Sequence, residues 1–287
     1  MMERWDPTSA VTFIDRTRCT VGVGATPFLK ELLDASKAQS NRLPSMRFYI
    51  CGGAAVPPQL IYRTRDALEN CLVFRVYGST ELPIITMGWP EASQAQLAAE
   101  TDGKIYNYDV RILDDDGKDI TEIGAEGEIA SRGSAMMLGY KNSAQDEKAY
   151  IDGVFLTGDV GILTADHALV ITDRKRDIII RGGENISAKE IEDMLHNHPS
   201  IAESAIVSRP HPRLGQGVFV YVIVRPGHSE PDLAEIIRFS ELSKITRQKI
   251  PEGMAIVENF PRTASGKAKK DQLRIRLKPE TENKGSS

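Results

Sequence analysis

The first third of the chain alternates short apolar runs that stop at glycine with helical patterns that open on proline, and this rhythm limits the fold more than any other feature. Asp6-Pro7 has the form of an N-cap and first helical turn, with Val11 and Ile14 on the apolar face. A short strand near residues 19–23 follows, and Thr26-Pro27 opens a second helix carrying Phe28, Leu29, Leu32 and Leu33. Residues 47–51 read as a strand broken by Gly52-Gly53, and Pro57-Pro58 starts a helix toward Leu68. A third strand over residues 72–76 stops at Tyr77-Gly78. Strand–helix–strand alternation predicts a parallel sheet with right-handed crossovers. Ligands of such sheets sit beyond the carboxyl ends of the strands. Gly52-Gly53 and Tyr77-Gly78 are therefore expected on one rim.

From about Val110 to Thr172 the pattern changes to short strands and tight turns, with Asp114-Asp115-Asp116-Gly117 and Asp152-Gly153 as turn sequences. A small antiparallel β subdomain is expected there. Beyond Asp173 the pattern mixes a strand at residues 178–180, a helix from Ser187, strands near 205–207 and 218–224, and a helix around 233–247. The polar tail after Lys278 has the composition of a disordered segment. The charged stretch Asp173-Arg174-Lys175-Arg176-Asp177 marks the domain boundary, giving units over 1–173 and 174–278 and a tail over 279–287.

Composition removes several classes of function. With 287 residues, 41% hydrophobic and 26% charged, the chain has the make-up of an ordinary globular protein of about two domains. A net charge of −4 argues against a general nucleic-acid binder, which would be basic. Cys19, Cys51 and Cys71 show no CxxC spacing and read as small hydrophobes in a reducing compartment. No charged-then-apolar leader opens the chain and no apolar run is long enough to span a bilayer, so a cytoplasmic protein is expected. The longest such run, residues 218–224, suits a buried strand. The five histidines form no metal-ligand set, and no Gly-x-Ser-x-Gly elbow is present.

Several short strings carry candidate chemistry. In Tyr77-Gly78-Ser79-Thr80-Glu81, the aromatic ring can stack on a base and the glycine admits a ligand to the backbone. Thr80 offers a hydroxyl to a phosphate oxygen, and Glu81 is a hard oxygen ligand suited to Mg²⁺. A plain turn with a solvated glutamate is the competing reading. Thr157-Gly158-Asp159 places a carboxylate at an expected strand end, where two oxygens could accept from both ribose hydroxyls; a turn aspartate is the alternative. Arg174 supplies a planar donor fork for ribose or phosphate, or is an exposed linker residue. Gly182-Gly183 could be only a tight turn, or could leave room for a narrow chain such as pantetheine. Ser187-Ala188-Lys189-Glu190 has capping-box spacing, which makes Glu190 a cap rather than a catalyst. Ser265-Gly266-Lys267 sets a lysine on a flexible loop amid other cations; it lacks the Walker spacing and reads as a solvated basic face or as a mobile cation that neutralises developing charge.

In series these strings are far more specific. Gly52-Gly53-Ala54, Tyr77–Glu81, Gly127-Glu128-Ile129 with Gly139-Tyr140, Thr157-Gly158-Asp159, Asp173-Arg174, Gly182-Gly183-Glu184-Asn185 and Ser265-Gly266-Lys267 resemble, in that order, the adenylate-forming superfamily. Gly-Gly-Glu-Asn and Pro-Arg-Thr-x-Ser-Gly-Lys look most like its acyl-CoA synthetase branch. The resemblance implies an α/β fold: the C-terminal part of a large parallel-sheet domain with a small antiparallel β subdomain, then a small mobile α+β C-terminal domain. It implies activation of a carboxylic or fatty acid through acyl-AMP to a CoA thioester, with ATP/AMP, Mg²⁺ and CoA. Under it, Gly52, Gly53 and Ala54 line the adenine and acyl pocket, Tyr77 stacks on adenine, and Gly78 and Ser79 lie beside the acyl group. Thr80 contacts the α-phosphate, Glu81 holds Mg²⁺, Asp159 and Arg174 bind ribose, and Ile171 packs on adenine. Gly182 and Gly183 border the CoA tunnel, Lys267 promotes adenylation, and Arg176 stands at the hinge in place of the usual aspartate or lysine.

The family's Ser/Thr/Gly-rich phosphate loop, which clamps the ATP triphosphate, has no counterpart before Gly52. The resemblance therefore implies a truncated or split form, whose partners are a small carboxylic acid, ATP, CoA and a separate N-terminal half. A non-catalytic nucleotide- or acyl-CoA-binding remnant, and adenylation for a carrier-protein acceptor, stay open at this point.

Overall fold

A computed structural model describes residues 5–53, 56–263 and 266–277, and the chain divides into two units, Met1–Ile171 and Thr172–Ser287. In the first, helix α1 (Pro7–Thr17) begins where the Asp6 carboxylate accepts from the Ser9 amide at 2.9 Å, and it buries Ala10 and Val11. Strand β1 (Val21–Gly24), helix α2 (Thr26–Ala38), strand β2 (Phe48–Gly52), helix α3 (Pro58–Ala67) and strand β3 (Leu72–Tyr77) follow. The three strands are parallel, with Val21 opposite Phe48 and Phe48 opposite Leu72. Leu29, Leu32, Leu33, Cys51, Ile61 and Val73 lie in one buried cluster, so the apolar stripes of the helices cover the sheet as their periodicity requires. Beyond β3 the sheet turns antiparallel through β4 (Thr86–Met87), helix α4 (Ala95–Glu100) and β5 (Lys104–Ile105), giving the order β1-β2-β3-β4-β5. Two-residue strands carry no readable periodicity, which is why the sequence did not announce them.

The second sheet comprises β6 (Tyr108–Leu113), β7 (Glu126–Gly133), β8 (Tyr150–Ile151), β9 (Val154–Leu163) and β10 (Leu169–Arg174), with the short helix α5 (Asp146–Ala149) before β8. Its order is β10-β9-β7-β6, with β8 against β9. The turn sequences act as expected: Asp114 Oδ1 accepts from the amides of Asp116 and Lys118, each at 2.9 Å. Asp152 and Gly153, at φ 46° and 75°, join β8 to β9.

The second unit holds β11 (Ile179–Arg181), β12 (Glu184–Ile186), α6 (Ala188–Leu195), β13 (Ile201–His211), β14 (Gly215–Val224), α7 (Leu233–Leu242), β15 (Gly253–Ile256) and α8 (Lys270–Ile275). Its sheet runs β12-β11-β14-β13, with β15 parallel to β14. The apolar run 218–224 forms most of β14, and Val218, Val220 and Val222 are fully buried with Ile191, Leu195, Ile206 and Ile236. Ser187 Oγ accepts from the Glu190 amide at 3.1 Å, so Glu190 sits in the first turn of a capped helix and reaches Lys249 at 2.6 Å. Helix α7 ends at Leu242 rather than near Arg247, because Lys244 takes φ 60°, which no helix can continue. The architecture is therefore α/β: a parallel-sheet part with an antiparallel β subdomain, then a small α+β unit. Among the described residues no helix is long and apolar enough to cross a membrane. Cys51 and Cys71 are buried, Cys19 is half-buried, and all three are free thiols. Residues 278–287 lie outside the described residues.

Candidate functional site

The rim expected from the sequence is present. Gly52, last residue of β2, lies opposite Val76 of β3, so Gly52-Gly53 and Tyr77-Gly78 leave the sheet side by side at its carboxyl end. A Cβ on Gly52 would come within 2.6 Å of the Val76 carbonyl oxygen, and Gly53 turns away at φ 77°. Gly78 is equally constrained, since a Cβ there would stand 2.5 Å from the Ile84 nitrogen. The strand end then closes on itself: the Ser79 amide donates to the Leu82 carbonyl at 3.0 Å and Ser79 Oγ accepts from the Leu82 amide at 3.2 Å. Buried Leu82 anchors this turn, which leaves Thr80 exposed and Glu81 half-buried. Ala54 falls outside the described residues.

Asp159 does not stand at a strand end, contrary to the sequence expectation. Strand β9 continues through it to Leu163, and the register against β7 slips between Glu128 and Ala130. Gly158, at φ 69°, supplies the conformation that lets β9 bulge there and run on. Thr157 Oγ1 ties the bulge down by donating to the Ile129 carbonyl at 2.8 Å. The bulge turns Asp159 toward the rim: the Tyr77 hydroxyl donates to Asp159 Oδ2 at 2.9 Å, although Asp159 is 6% exposed. Ile171 joins them, since Tyr77 and Ile171 both pack on the cluster of Ile112, Ile129 and Leu169. Three residues from separate motifs thus share one patch with an aromatic face, an aliphatic face and a carboxylate.

Four residues that the sequence reading gave no role hold this patch. Thr86 Oγ1 accepts from the Tyr77 amide at 3.2 Å and donates to the Asp102 carbonyl. The Asp102 carboxylate accepts from the Ile171 amide at 2.8 Å through Oδ2 and pairs with Arg75 at 3.4 Å through Oδ1. Arg75, buried on β3, also donates to the Ala99 carbonyl. On the other side, the Tyr140 hydroxyl donates to Glu81 Oε1 at 2.8 Å, and the Tyr140 amide donates to Asp146 Oδ1 at 3.0 Å. Desolvation, reinforced by the Glu81 carboxylate, pushes the Tyr140 hydroxyl up to about 12, so it stays a donor at neutral pH. Of these four only Tyr140 belongs to the motif series; the rest look like ordinary turn and strand polar residues until their partners are known.

In the second unit, Arg174 is exposed at the end of β10, with its amide donating to Asp173 Oδ1 at 2.6 Å. Arg176 is exposed in the 3₁₀ turn Lys175–Asp177. Gly182 and Gly183, at φ 61° and 91°, form the two-residue turn between β11 and β12. Lys267 is not on an open loop: its amide donates to Thr263 Oγ1 at 3.1 Å and its carbonyl accepts from the Thr263 amide at 2.8 Å. Ser265 lies outside the described residues.

Comparison with known proteins agrees with the motif series. The family model described as AMP-binding enzyme matches residues 1–141, and the AMP-binding enzyme C-terminal domain matches residues 190–267. The chain is 32% identical over 280 residues to a medium-chain fatty-acid–CoA ligase of Escherichia coli, covering 96% of this chain and 48% of that protein. It is 34% identical over 273 residues to an indoleacetate–CoA ligase of Aromatoleum aromaticum, covering 94% and 52% respectively. Among solved structures, an o-succinylbenzoate CoA synthetase from Bacillus subtilis in complex with ATP and magnesium ion superposes with a TM-score of 0.82. That match has 29% identity and covers 97% of this chain and 55% of the other. The chain spans about half the length of the curated relatives it matches. Matched by the two family models over residues 1–141 and 190–267, on both sides of its domain boundary, the chain belongs to the AMP-binding enzymes, the adenylate-forming family.

Proposed function

We propose that this chain supplies the AMP-binding rim and the lysine arm of an acid–CoA ligase. A carboxylate attacks the α-phosphorus of ATP, releasing pyrophosphate and leaving acyl-AMP; the CoA thiol then displaces AMP to give the thioester. The observation that carries the reading is the patch in which the Tyr77 hydroxyl meets Asp159 at 2.9 Å beside Ile171. An aromatic face and an aliphatic face suit an adenine ring, and a buried carboxylate suits ribose hydroxyls. In this reading Gly52, Gly53 and Gly78 let the ligand approach the backbone, with Ser79 beside the acyl group and Thr80 at the α-phosphate. Glu81 receives Mg²⁺; one oriented carboxylate suits a metal that arrives on nucleotide phosphates, since Mg²⁺ takes few protein ligands. Arg174 contacts ribose, Arg176 is the hinge, Gly182 and Gly183 border the CoA path, and Lys267 stabilises charge developing on the phosphate and carboxylate. In this reading the reaction runs in the cytoplasm, a setting that the free thiols Cys19, Cys51 and Cys71 support.

The partner in this proposal is a separate polypeptide equivalent to the remaining half of the relatives. Strand β1 supports it: its second edge has no neighbour among the described residues, and Val21 and Val23 are 51% and 72% exposed. An uncovered edge of this kind accepts another strand. The test is ATP–pyrophosphate exchange over a panel of acids, with the chain alone and with a separately expressed N-terminal half of a relative, alongside calorimetry with AMP. The expected result is AMP binding by the chain, exchange on mixing, and a loss of about 10²-fold with Lys267→Ala. Exchange indifferent to Lys267→Ala, or no AMP binding, overturns the reading.

A further inference from the structure

Helix α8 spans only Lys270–Ile275, too short to hold itself in water, yet it begins three residues after Lys267. Its anchors are unusual for so small an element. Lys270 Nζ meets Glu192 Oε1 on α6 at 2.7 Å, with the two side chains 16% and 22% exposed. The same Glu192 oxygen accepts from the Ile206 amide of β13 at 2.7 Å, so this carboxylate joins three elements. Arg274 Nη2 meets Asp177 Oδ1 at 2.5 Å, and Asp177 ends the turn Lys175–Asp177 that carries Arg176. Between these two cations Leu273 is fully buried, and its carbonyl accepts from the Tyr221 hydroxyl at 3.2 Å. Burial by itself would lower the Lys270 pKa, but Glu192, Asp177 and Asp173 together hold it above the ordinary lysine value.

The other flank of the lysine is tied as well. Arg262 Nη2 pairs with Glu203 of β13 at 2.8 Å, while its Nη1 donates to the Gly266 carbonyl at 2.9 Å. The Lys269 amide donates to the Pro261 carbonyl at 2.7 Å, and Arg262 bridges to Ala268. A solvated basic face would not place two of its cations in pairs shielded from water.

We propose that Lys270 and Arg274 are positioning residues: they clamp the segment bearing Lys267 to α6 and to the hinge turn, so that the lysine is held in a fixed backbone position. The inference rests on the role proposed for Lys267, but its test does not depend on that role. Hydrogen exchange of the full-length chain reads the amides of Thr263, Gly266, Lys267 and Lys269, with residues 218–222 of β14 as internal reference. Lys270→Met should speed exchange of the four amides at least ten-fold and leave the β14 amides within two-fold; Lys270→Arg should restore protection to within two-fold. Arg274→Gln, whose side chain is less deeply placed, should speed the same amides at least three-fold, and it carries the test if Lys270→Met fails to fold. Loop amides unmoved in both variants overturn the clamp, as does a uniform rise across β14 and the loop, which would mean ordinary loss of stability. If the loop loosens as expected but Lys267→Ala leaves ATP–pyrophosphate exchange intact, the clamp stands and the reading of Lys267 falls.

Discussion

Replacing Asp102 with alanine tests whether the patch around Tyr77 is held by charge. The substitution removes the partner of Arg75, which lies on β3 with its side chain 6% exposed. Arg75 keeps one bond, to the Ala99 carbonyl, and its Nε already has no hydrogen-bond partner. A buried charge left without its partner costs about 3–5 kcal/mol. The Ile171 amide also loses its acceptor, which adds about 1 kcal/mol at a half-buried position. Against a total stability of roughly 5–15 kcal/mol, this removes a large fraction. With a urea slope of about 2 kcal/mol per molar, the unfolding midpoint should fall by about 2–3 M.

The chain provides its own probe. Its two tryptophans, Trp5 and Trp89, both belong to the first unit, so intrinsic fluorescence follows that unit's unfolding alone. Trp89 is close to the change, donating from Nε1 to Thr101 Oγ1 at 3.2 Å. The decisive comparison is Arg75→Met with Asp102→Ala. Removing both charges ends the desolvation penalty along with the attraction, so the double variant should be more stable than Asp102→Ala alone, by about 2 kcal/mol. A single variant losing less than about 1 kcal/mol, or a double variant as unstable as the sum of its parts, refutes the argument that the aspartate serves mainly to neutralise Arg75.

Three other outcomes follow from the same network of contacts. Gly52→Ala should destabilise the first unit by about 1–3 kcal/mol, read by the same fluorescence titration, because the new Cβ meets the Val76 carbonyl and that backbone is fixed in the sheet. Tyr140→Phe removes the donor to Glu81 and should weaken Mg²⁺·ATP binding about ten-fold by calorimetry while leaving metal-free AMP binding unchanged; equal losses for both ligands would detach Tyr140 from the metal. His198 is buried against Phe239, its Nδ1 accepts from the Ser200 amide, and burial lowers its pKa below the ordinary histidine value. A depressed folded-state pKa means the unfolded chain binds the proton first. Stability of the second unit should therefore be complete above about pH 6.5 and decline as pH falls toward and through the lowered value. His198→Phe should flatten that decline in urea titrations followed by exchange of β13 amides, and an unchanged slope counts against the assignment.

What could be read from the sequence is what is local. The ends of β2 and β3 are legible because a glycine after a short, mainly apolar run acts within two or three residues, and the rim follows from topology. Asp159 does not end its strand, because Gly158 bulges β9 there and the strand runs on to Leu163. Glycine at φ 69° ends a strand or bulges it according to what the neighbouring strand offers, and that neighbour, β7, is remote in sequence. Asp102 was invisible for the same reason: it serves Ile171, 69 residues away, and Arg75, 27 residues away. The pairing of Lys270 with Glu192 is equally illegible, because nothing in either helix shows that the other faces it.

The pattern has a physical basis that bears on where function resides in this family member. Residues that would touch the nucleotide need a fixed backbone approach, and only glycine, a turn or a strand end supplies it, so they cluster in short strings. Residues that hold those strings need only a polar atom at the right point in space, and any element the fold brings near can provide one. Thr86, Asp102, Tyr140, Glu192 and Lys270 come from five different elements or turns, and each meets its partner at hydrogen-bond distance. An oriented site depends on both groups, because a misdirected carboxylate or lysine loses most of its electrostatic effect within about an ångström. Substitutions in the second group should therefore lower ligand binding and exchange activity while every recognised motif remains intact.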